Sequence, residues 1–155
     1  MRIRLFRPED LETIRTLTIA AFEAVSIDRN IEKHFGMIHG HDWRWRKARQ
    51  IDEDVACSSS TVFVAEADGK VIGYITTRSD RDSGMGHIPN LAVAAEVRGQ
   101  GLGRQLIQHA LAFLRGQGMT HVKIETLDQN DIGRHLYPSC GFQEVARQIH
   151  YVTQL

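Results

Sequence analysis

Polar and apolar residues alternate from the start of the chain, and Arg2-Ile3-Arg4-Leu5-Phe6-Arg7 reads as a half-buried strand. Pro8 suits the first turn of a helix, with Glu9 and Asp10 near its positive end. Leu11, Ile14, Leu17, Thr18 and Phe22 then keep helical spacing. Over 23–54 the apolar pattern is broken by Gly36 and Gly40, which predicts a second, interrupted helix with mobile connections. Two β-rich runs, 61–67 and 70–78, surround Asp68-Gly69, a strong hairpin signal. A loop over 79–86 leads into a strand that ends near Val93. Leu102, Leu106, Ala110, Phe113 and Leu114 mark the buried face of a helix stopped by Gly116 or Gly118. Residues 121–126 form a strand, Asn130 or Asp131 caps a short helix reaching Leu136, and 142–152 supply one or two final strands. The predicted order is β, α, α, β, β, β, α, β, α, β, β. This is a mixed α/β chain with no repeat or linker, hence one domain over 1–155.

Composition narrows the classes. The 155 residues are 42% hydrophobic and 25% charged, the balance of a globular domain able to bury a sizeable core. Nineteen basic residues offset nineteen acidic ones, so no charge surplus points to nucleic acid or an anionic membrane. The opening residues lack the apolar stretch of a signal peptide and no membrane span is visible, which makes the cytoplasm the expected compartment. Cys57 and Cys140 are too few for a disulfide framework and too isolated for a zinc site, so no metal is expected.

The chemistry concentrates at 97–103, Val-Arg-Gly-Gln-Gly-Leu-Gly, between the apolar Leu91-Ala92-Val93 and the helix that begins near Arg104. Gly99, Gly101 and Gly103 allow a sharp turn and close approach of a ligand. A helix opening from such a loop presents free N–H groups and the positive end of its dipole to a phosphate. Arg98 and Arg104 add fixed positive charge. A P-loop needs Gly-Lys-Ser/Thr at its end, and this loop ends Leu-Gly-Arg. A dinucleotide fold needs G-x-G-x-x-G in the first βαβ unit. Here the spacing is G-x-G-x-G after a hairpin, although Glu125 lies at a tolerable distance for a ribose contact.

The pattern Arg98-x-x-Gly101-x-Gly103, preceded by Leu91-Ala92-Val93, resembles the signature of the GNAT family of N-acetyltransferases. Asn130 followed by Leu136-Tyr137-Pro138-Ser139-Cys140-Gly141-Phe142 is similar to that family's second signature, and the opening Arg-Pro-Glu-Asp is also typical. The resemblance spans nearly the whole chain. It implies a mixed sheet flanked by helices and splayed between its fourth and fifth strands, with acetyl-CoA as co-substrate. By the same resemblance Arg98, Gly99, Gln100, Gly101, Leu102, Gly103 and Arg104 hold the pyrophosphate, chiefly through backbone N–H groups. Leu91, Ala92 and Val93 pair their backbone with the pantetheine arm, and one of their N–H groups polarises the thioester carbonyl. Asn130 and Tyr137, two helical turns apart, share the face turned to the cofactor. Asn130 is equally well a helix cap, and the Tyr137 hydroxyl is the implied acid toward the departing thiolate.

The residue that accepts the amine's proton is left open among His87, Glu125, Asp128 and water. Alternation puts His87 on the same face as Leu91 and Val93, but Pro89 cannot donate within a strand, so pairing breaks or bulges there. Cys140 is read as a small packing residue. Acceptor specificity is assigned to 23–54 and 79–86, where Trp43, Trp45, His34, His39 and His41 either line a pocket or anchor a helix. The Trp43-to-Lys47 stretch hints at a neutral or anionic acceptor. The expected activity is transfer of acetyl to a primary amine of a small molecule or peptide by direct attack in a ternary complex. A non-catalytic acyl-CoA sensor is the alternative. A homodimer and a preference for longer acyl chains are left open.

Overall fold

In a computed structural model that describes residues 1–155, the alternating opening is strand β1 (Arg2–Leu5). A 3-10 turn at Pro8–Asp10 leads into helix α1 (Leu11–Phe22). The Asp10 carboxylate accepts from the Arg7 amide and, in two bonds, from the Arg4 guanidinium, which ties the helix entry to the strand before it. The interrupted helix predicted over 23–54 is two separate helices, α2 (Ile27–Phe35) and α3 (Trp43–Ala56). Gly36 and Gly40, at φ 71° and 77°, end the first and turn the chain into the second. Ser26 and Asp42 cap their N-termini through Arg29 and Trp45 amides.

The hairpin is β2 (Ser60–Ala67) and β3 (Lys70–Asp80), turning at Asp68-Gly69 where both residues have positive φ. The loop expected over 79–86 shrinks, because β3 runs to Asp80 and β4 (Met85–Ile88) already pairs with it there. After β5 (Leu91–Val93) come α4 (Leu102–Gly116), β6 (His121–Ile124) and α5 (Asp131–Ser139). The sheet runs β1-β2-β3-β4-β6, antiparallel except for the β4–β6 pair, and β5 pairs with β3 alone. The predicted fourth strand is thus β4 plus β5. It lies beside β6 only as far as Ile88↔Ile124, and the mixed sheet is splayed beyond that point as expected.

Two cores sandwich this sheet. On one side Leu102, Leu106, Ile107, Ala110 and Leu114 of α4 pack on Phe63, Ile75 and Ile88. On the other, Ile14 of α1 and Ile51 of α3 pack on Val62, Val64, Tyr74 and Ala92. One expected element is missing: 142–152 form no strand, and the backbone from 143 onward pairs with nothing in the chain. The β-forming sequence is present there, but a strand requires a partner edge, and this segment leaves α5 without meeting one.

Candidate active site

The glycine loop leaves its backbone free. The amides of residues 99–104 donate to no group in the protein, and the first bond of α4 runs from Gln105 to Gly101. Gly99 and Gly101 sit at φ 76° and 83°, and nothing lies within 4 Å of where a Cβ would be. Consecutive free amides at an uncapped helix N-terminus, with open space before them, suit an anionic oxygen cluster such as a pyrophosphate. Gly103 is glycine for another reason: a Cβ there would stand 3.2 Å from a Leu136 methyl, so its absence lets α5 lie against α4. Arg98 donates through Nε to the Val93 carbonyl at 3.2 Å, and Arg104 donates to the Ser139 carbonyl at 2.7 Å. Both cations flank the loop, and Arg104 also clamps the end of α5.

Leu91-Ala92-Val93 borders the splay. Bonds from Thr76 N to Asn90 O and from Ala94 N to Ile72 O fix which residues of this strand face β3. In an antiparallel pair these positions alternate, so Ala92 is turned to β3 while the N–H and C=O groups of Leu91 and Val93 face the splay. On the far side, the Asn130 side-chain oxygen accepts from the Gly133 amide, and its amide donates to Thr126 at 2.8 Å. Asn130 is therefore a helix cap held by a threonine. Tyr137 is half-buried with its ring edge toward Phe142, and desolvation pushes its phenol up to about 12.

His87 lies opposite its expected face. The register Arg78↔His87 becomes Ile75↔Leu91, so one residue, Pro89, is in excess and forms a bulge. Each residue of slip exchanges the two faces. Gly86 and Ile88 therefore meet α4, while His87 faces α3. Leu91 and Val93 return to the α4 side. The bulge predicted from Pro89 is present, and it is what breaks the simple alternation.

On the α3 side the sheet and helix border an open cavity of about 330 Å³, lined by Gln50, Glu53, Asp54, Arg78, His87, Pro89, Asn90 and Glu125. His87 Nε2 is 2.6 Å from Glu125 Oε2, and Lys123 reaches the other oxygen at 3.3 Å. Partial burial pushes the Glu125 carboxyl up, but His87 and Lys123 together hold it below its usual value. Asp128 stays outside, paired with Arg134 and Arg147. Trp43 is fully buried core, and Trp45 stacks on His41 at 3.5 Å between centroids. Neither tryptophan nor His34, His39 or His41 lines the cavity. Three carboxylates and one guanidinium line it, with Arg78 paired to Asp54 and both His87 and Lys123 paired to Glu125.

Behind the cavity lies a polar cluster that sequence reasoning missed. The buried stripe of α3 is Trp43, Lys47, Ile51 and Asp54. Asn90 bridges its two charges, accepting from Lys47 Nζ at 3.0 Å and donating to Asp54 Oδ2 at 2.7 Å. Arg78 donates to the other Asp54 oxygen at 2.5 Å. Burial lowers the Lys47 ammonium to about 8, against the pull of Asp28 and Asp54. The helical spacing of residues 43, 47, 51 and 54 was visible in the sequence, but a lysine and an aspartate on that stripe look solvent-facing until Asn90 is brought to them.

No three or more His, Cys, Asp or Glu side chains are grouped to hold a metal ion, and no helix is long and apolar enough to cross a membrane. A family model described as "Acetyltransferase (GNAT) family" matches residues 24–142. The chain is 34% identical over 87 residues to a mycothiol acetyltransferase of Tsukamurella paurometabola, covering 56% of this chain and 30% of that protein. It is 35% identical over 91 residues to N-acetyltransferase 8 of Mus musculus, covering 55% and 39%. The chain thus spans well under half the length of these curated relatives. Among solved structures, aminoglycoside N-acetyltransferase AAC(6')-Iy in complex with CoA superposes with a TM-score of 0.72 at 21% identity, over 99% of this chain and 95% of that one.

Proposed function

The chain belongs to the GNAT family of acetyltransferases, and we propose that it moves an acetyl group from acetyl-CoA to a primary amine of a small, cationic molecule or peptide. The observation that carries this reading is the run of free amides at 99–104 beside the outward backbone of Leu91 and Val93, with the His87–Glu125 cavity on the same splayed sheet. Acetyl-CoA fits the first two features: the pyrophosphate takes the loop amides, and the pantetheine amides pair with the outward groups of Leu91 and the Val93 N–H, the Val93 carbonyl already accepting from Arg98.

The acceptor sits in the cavity as an ammonium held by Glu53 and Glu125. An alkyl ammonium with pKa near ~10 must lose a proton before it attacks. His87, hydrogen-bonded to an ionised Glu125, takes that proton directly or through one water. The amine nitrogen then attacks the thioester carbon, and a strand-edge N–H of Leu91 or Val93 stabilises the oxyanion. As the C–S bond breaks, Tyr137 donates to sulfur. A phenol near 12 remains protonated through the neutral and mildly alkaline range in which the amine is freed. A thiol titrates near ~8.5, so full transfer from Tyr137 to sulfur runs uphill by roughly three units. Tyr137 therefore acts as a hydrogen-bond donor to the forming thiolate, and solvent completes the protonation.

The same loop in an acyl-CoA sensor would need neither a histidine–carboxylate pair nor a polar cavity beside the thioester, which favours turnover. Incubation with acetyl-CoA and a panel of alkylamines, aminosugars, amino acids and peptides, with release of free thiol as the readout, tests the reading. Thiol release with cationic amines is expected. CoA binding with silence across the whole panel would replace this reading with the sensor.

A further inference from the structure

Between α2 and α3 the chain projects from the body. Residues 33–40, Lys-His-Phe-Gly-Met-Ile-His-Gly, are exposed without a break. Phe35, Met37 and Ile38 stand 42%, 67% and 42% exposed, and Trp45 at the start of α3 is 41% exposed. The projection is a built turn. Ile38 and His41 exchange both backbone hydrogen bonds, at 3.1 and 3.0 Å, around His39 and Gly40, whose φ values are 56° and 77°. That is the backbone of a tight two-residue hairpin turn. Its ends are pinned as well. The Gly36 amide donates to the Glu32 carbonyl at 2.8 Å, and Arg46 donates to the His41 carbonyl at 3.1 Å.

The apolar tip continues into a cationic flank. Side chains of directly paired residues lie on one face, so Ile38 sits beside the His41 ring. His41 stacks on Trp45, and the Arg49 guanidinium lies 4.9 Å from the centre of the same indole. Ile38, His41, Trp45 and Arg49 therefore form one continuous surface. No carboxylate occurs between Lys33 and His41. The two that border the turn are already engaged: Glu32 accepts from the Trp43 amide and pairs with Arg29 and Arg46, and Asp42 caps α3 at Trp45 and pairs with Arg44. Lys33 and Arg49 are exposed and make no ion pair. The zero net charge of the whole chain hides this local surplus, because the balancing acids lie elsewhere.

We propose that this turn docks the protein on an anionic lipid bilayer, with Phe35, Met37 and Ile38 entering the interface, Trp45 at headgroup depth, and Lys33 and Arg49 on the lipid phosphates. The order of the patch matches the order of such a surface. An apolar tip meets the acyl boundary, an indole suits the half-polar layer above it, and free cations meet the negative headgroups. A contiguous apolar patch rimmed by polar groups marks a contact site. Shape decides which kind. The turn projects and offers no groove, so its partner must yield around it, and a fluid bilayer does so without a matched surface. The turn is hydrogen-bonded before it docks, so insertion orders little chain. The cavity draws on later residues of α3 and the glycine loop opens α4, so neither includes a residue of the turn.

Co-sedimentation with vesicles of phosphatidylcholine alone, and of equal parts phosphatidylcholine and phosphatidylglycerol, tests the docking, with tryptophan emission alongside. The full chain is expected to bind the mixed vesicles only, and less as salt is raised. Emission should shift to the blue on binding through Trp45, since Trp43 is already fully buried. Lys33→Gln/Arg49→Gln should weaken binding roughly 25-fold, about fivefold for each cation removed. Met37→Asp/Ile38→Asp should abolish it. Retained CoA binding shows that the variants are folded, and the glutamine pair, which changes exposed side chains alone, decides the matter if the aspartate pair does not fold. Failure of the full chain to bind the mixed vesicles overturns the proposal, as does equal binding to phosphatidylcholine alone. Folded variants that bind as the parent does overturn it too, since the contact then lies elsewhere. Binding of polyglutamate without binding of vesicles overturns it and assigns the turn to an acidic protein.

Discussion

At the scale of single residues, Tyr137 and Gly101 separate chemistry from binding. Tyr137 is half-buried with its phenol pushed up to about 12, so in the proposed reaction removing its hydroxyl takes away a donor to the leaving sulfur and little else. Tyr137→Phe should lower kcat by roughly a hundred- to a thousandfold, the cost of removing one donor to charge that develops in the transition state, with CoA affinity unchanged by titration calorimetry. An unaltered kcat would remove Tyr137 from the reaction. Gly101 stands at φ 83°, where a β-branched residue is strained by about 1–2 kcal/mol, and its amide belongs to the free run at the start of α4. Gly101→Val should cost that much stability yet reduce CoA affinity at least a hundredfold, because the loop would abandon its conformation. A folded Gly101→Val protein with native affinity would refute the phosphate loop. His87 is the residue where reading by alternation failed, and the cause lies two positions on: Pro89 adds a residue to the strand and exchanges its faces.

At the scale of elements, the bulge between β4 and β5 organises the site. It turns His87 toward α3 and sends the N–H and C=O groups of Leu91 and Val93 into the splay. It also brings the buried Asn90 against the α3 stripe. Asn90 holds helix and strand together through two charged partners buried with it. Asn90→Ala should therefore destabilise by about 2–4 kcal/mol in urea unfolding, the range for leaving buried polar and charged groups short of a partner. A loss below about 0.5 kcal/mol would mean that Lys47 and Asp54 find other partners and that α3 is held by Trp43 and Ile51 alone. Activity should fall as well, since Asp54, Arg78 and Asn90 all line the cavity.

At the scale of the whole molecule, Lys47 makes the buried cluster visible in global unfolding. Its folded pKa is near 8, whereas the unfolded lysine keeps its proton to about 10.4. Between these values the unfolded chain binds more protons, so the contribution of Lys47 to stability rises with pH across that window. Relative to a Lys47→Met variant, the chain should gain on the order of 3 kcal/mol in unfolding free energy between pH 8 and 10.5. The unpaired Asn90 oxygen left in the variant adds only a pH-independent offset. A difference flat with pH would show that the folded lysine titrates normally. Much of this molecule is legible without coordinates. The period-two and helical patterns, the Asp68-Gly69 turn, the glycine loop and the Asn130–Tyr137 pair all follow from local chemistry, because a turn, a cap or an amphipathic face depends on residues within a few positions of one another. The cavity does not. Gln50, Glu53, Asp54, Arg78 and Glu125 come from three distant stretches, and only the folded chain gathers them around one cavity. The absent final strand fails for the same reason: 143–155 carry a strand's pattern, but pairing needs an edge that sequence does not supply. Local sequence determined the turns, most of the elements and the glycine loop. Tertiary structure decided which side chains meet and which edges stay open, since both depend on contacts between residues far apart along the chain.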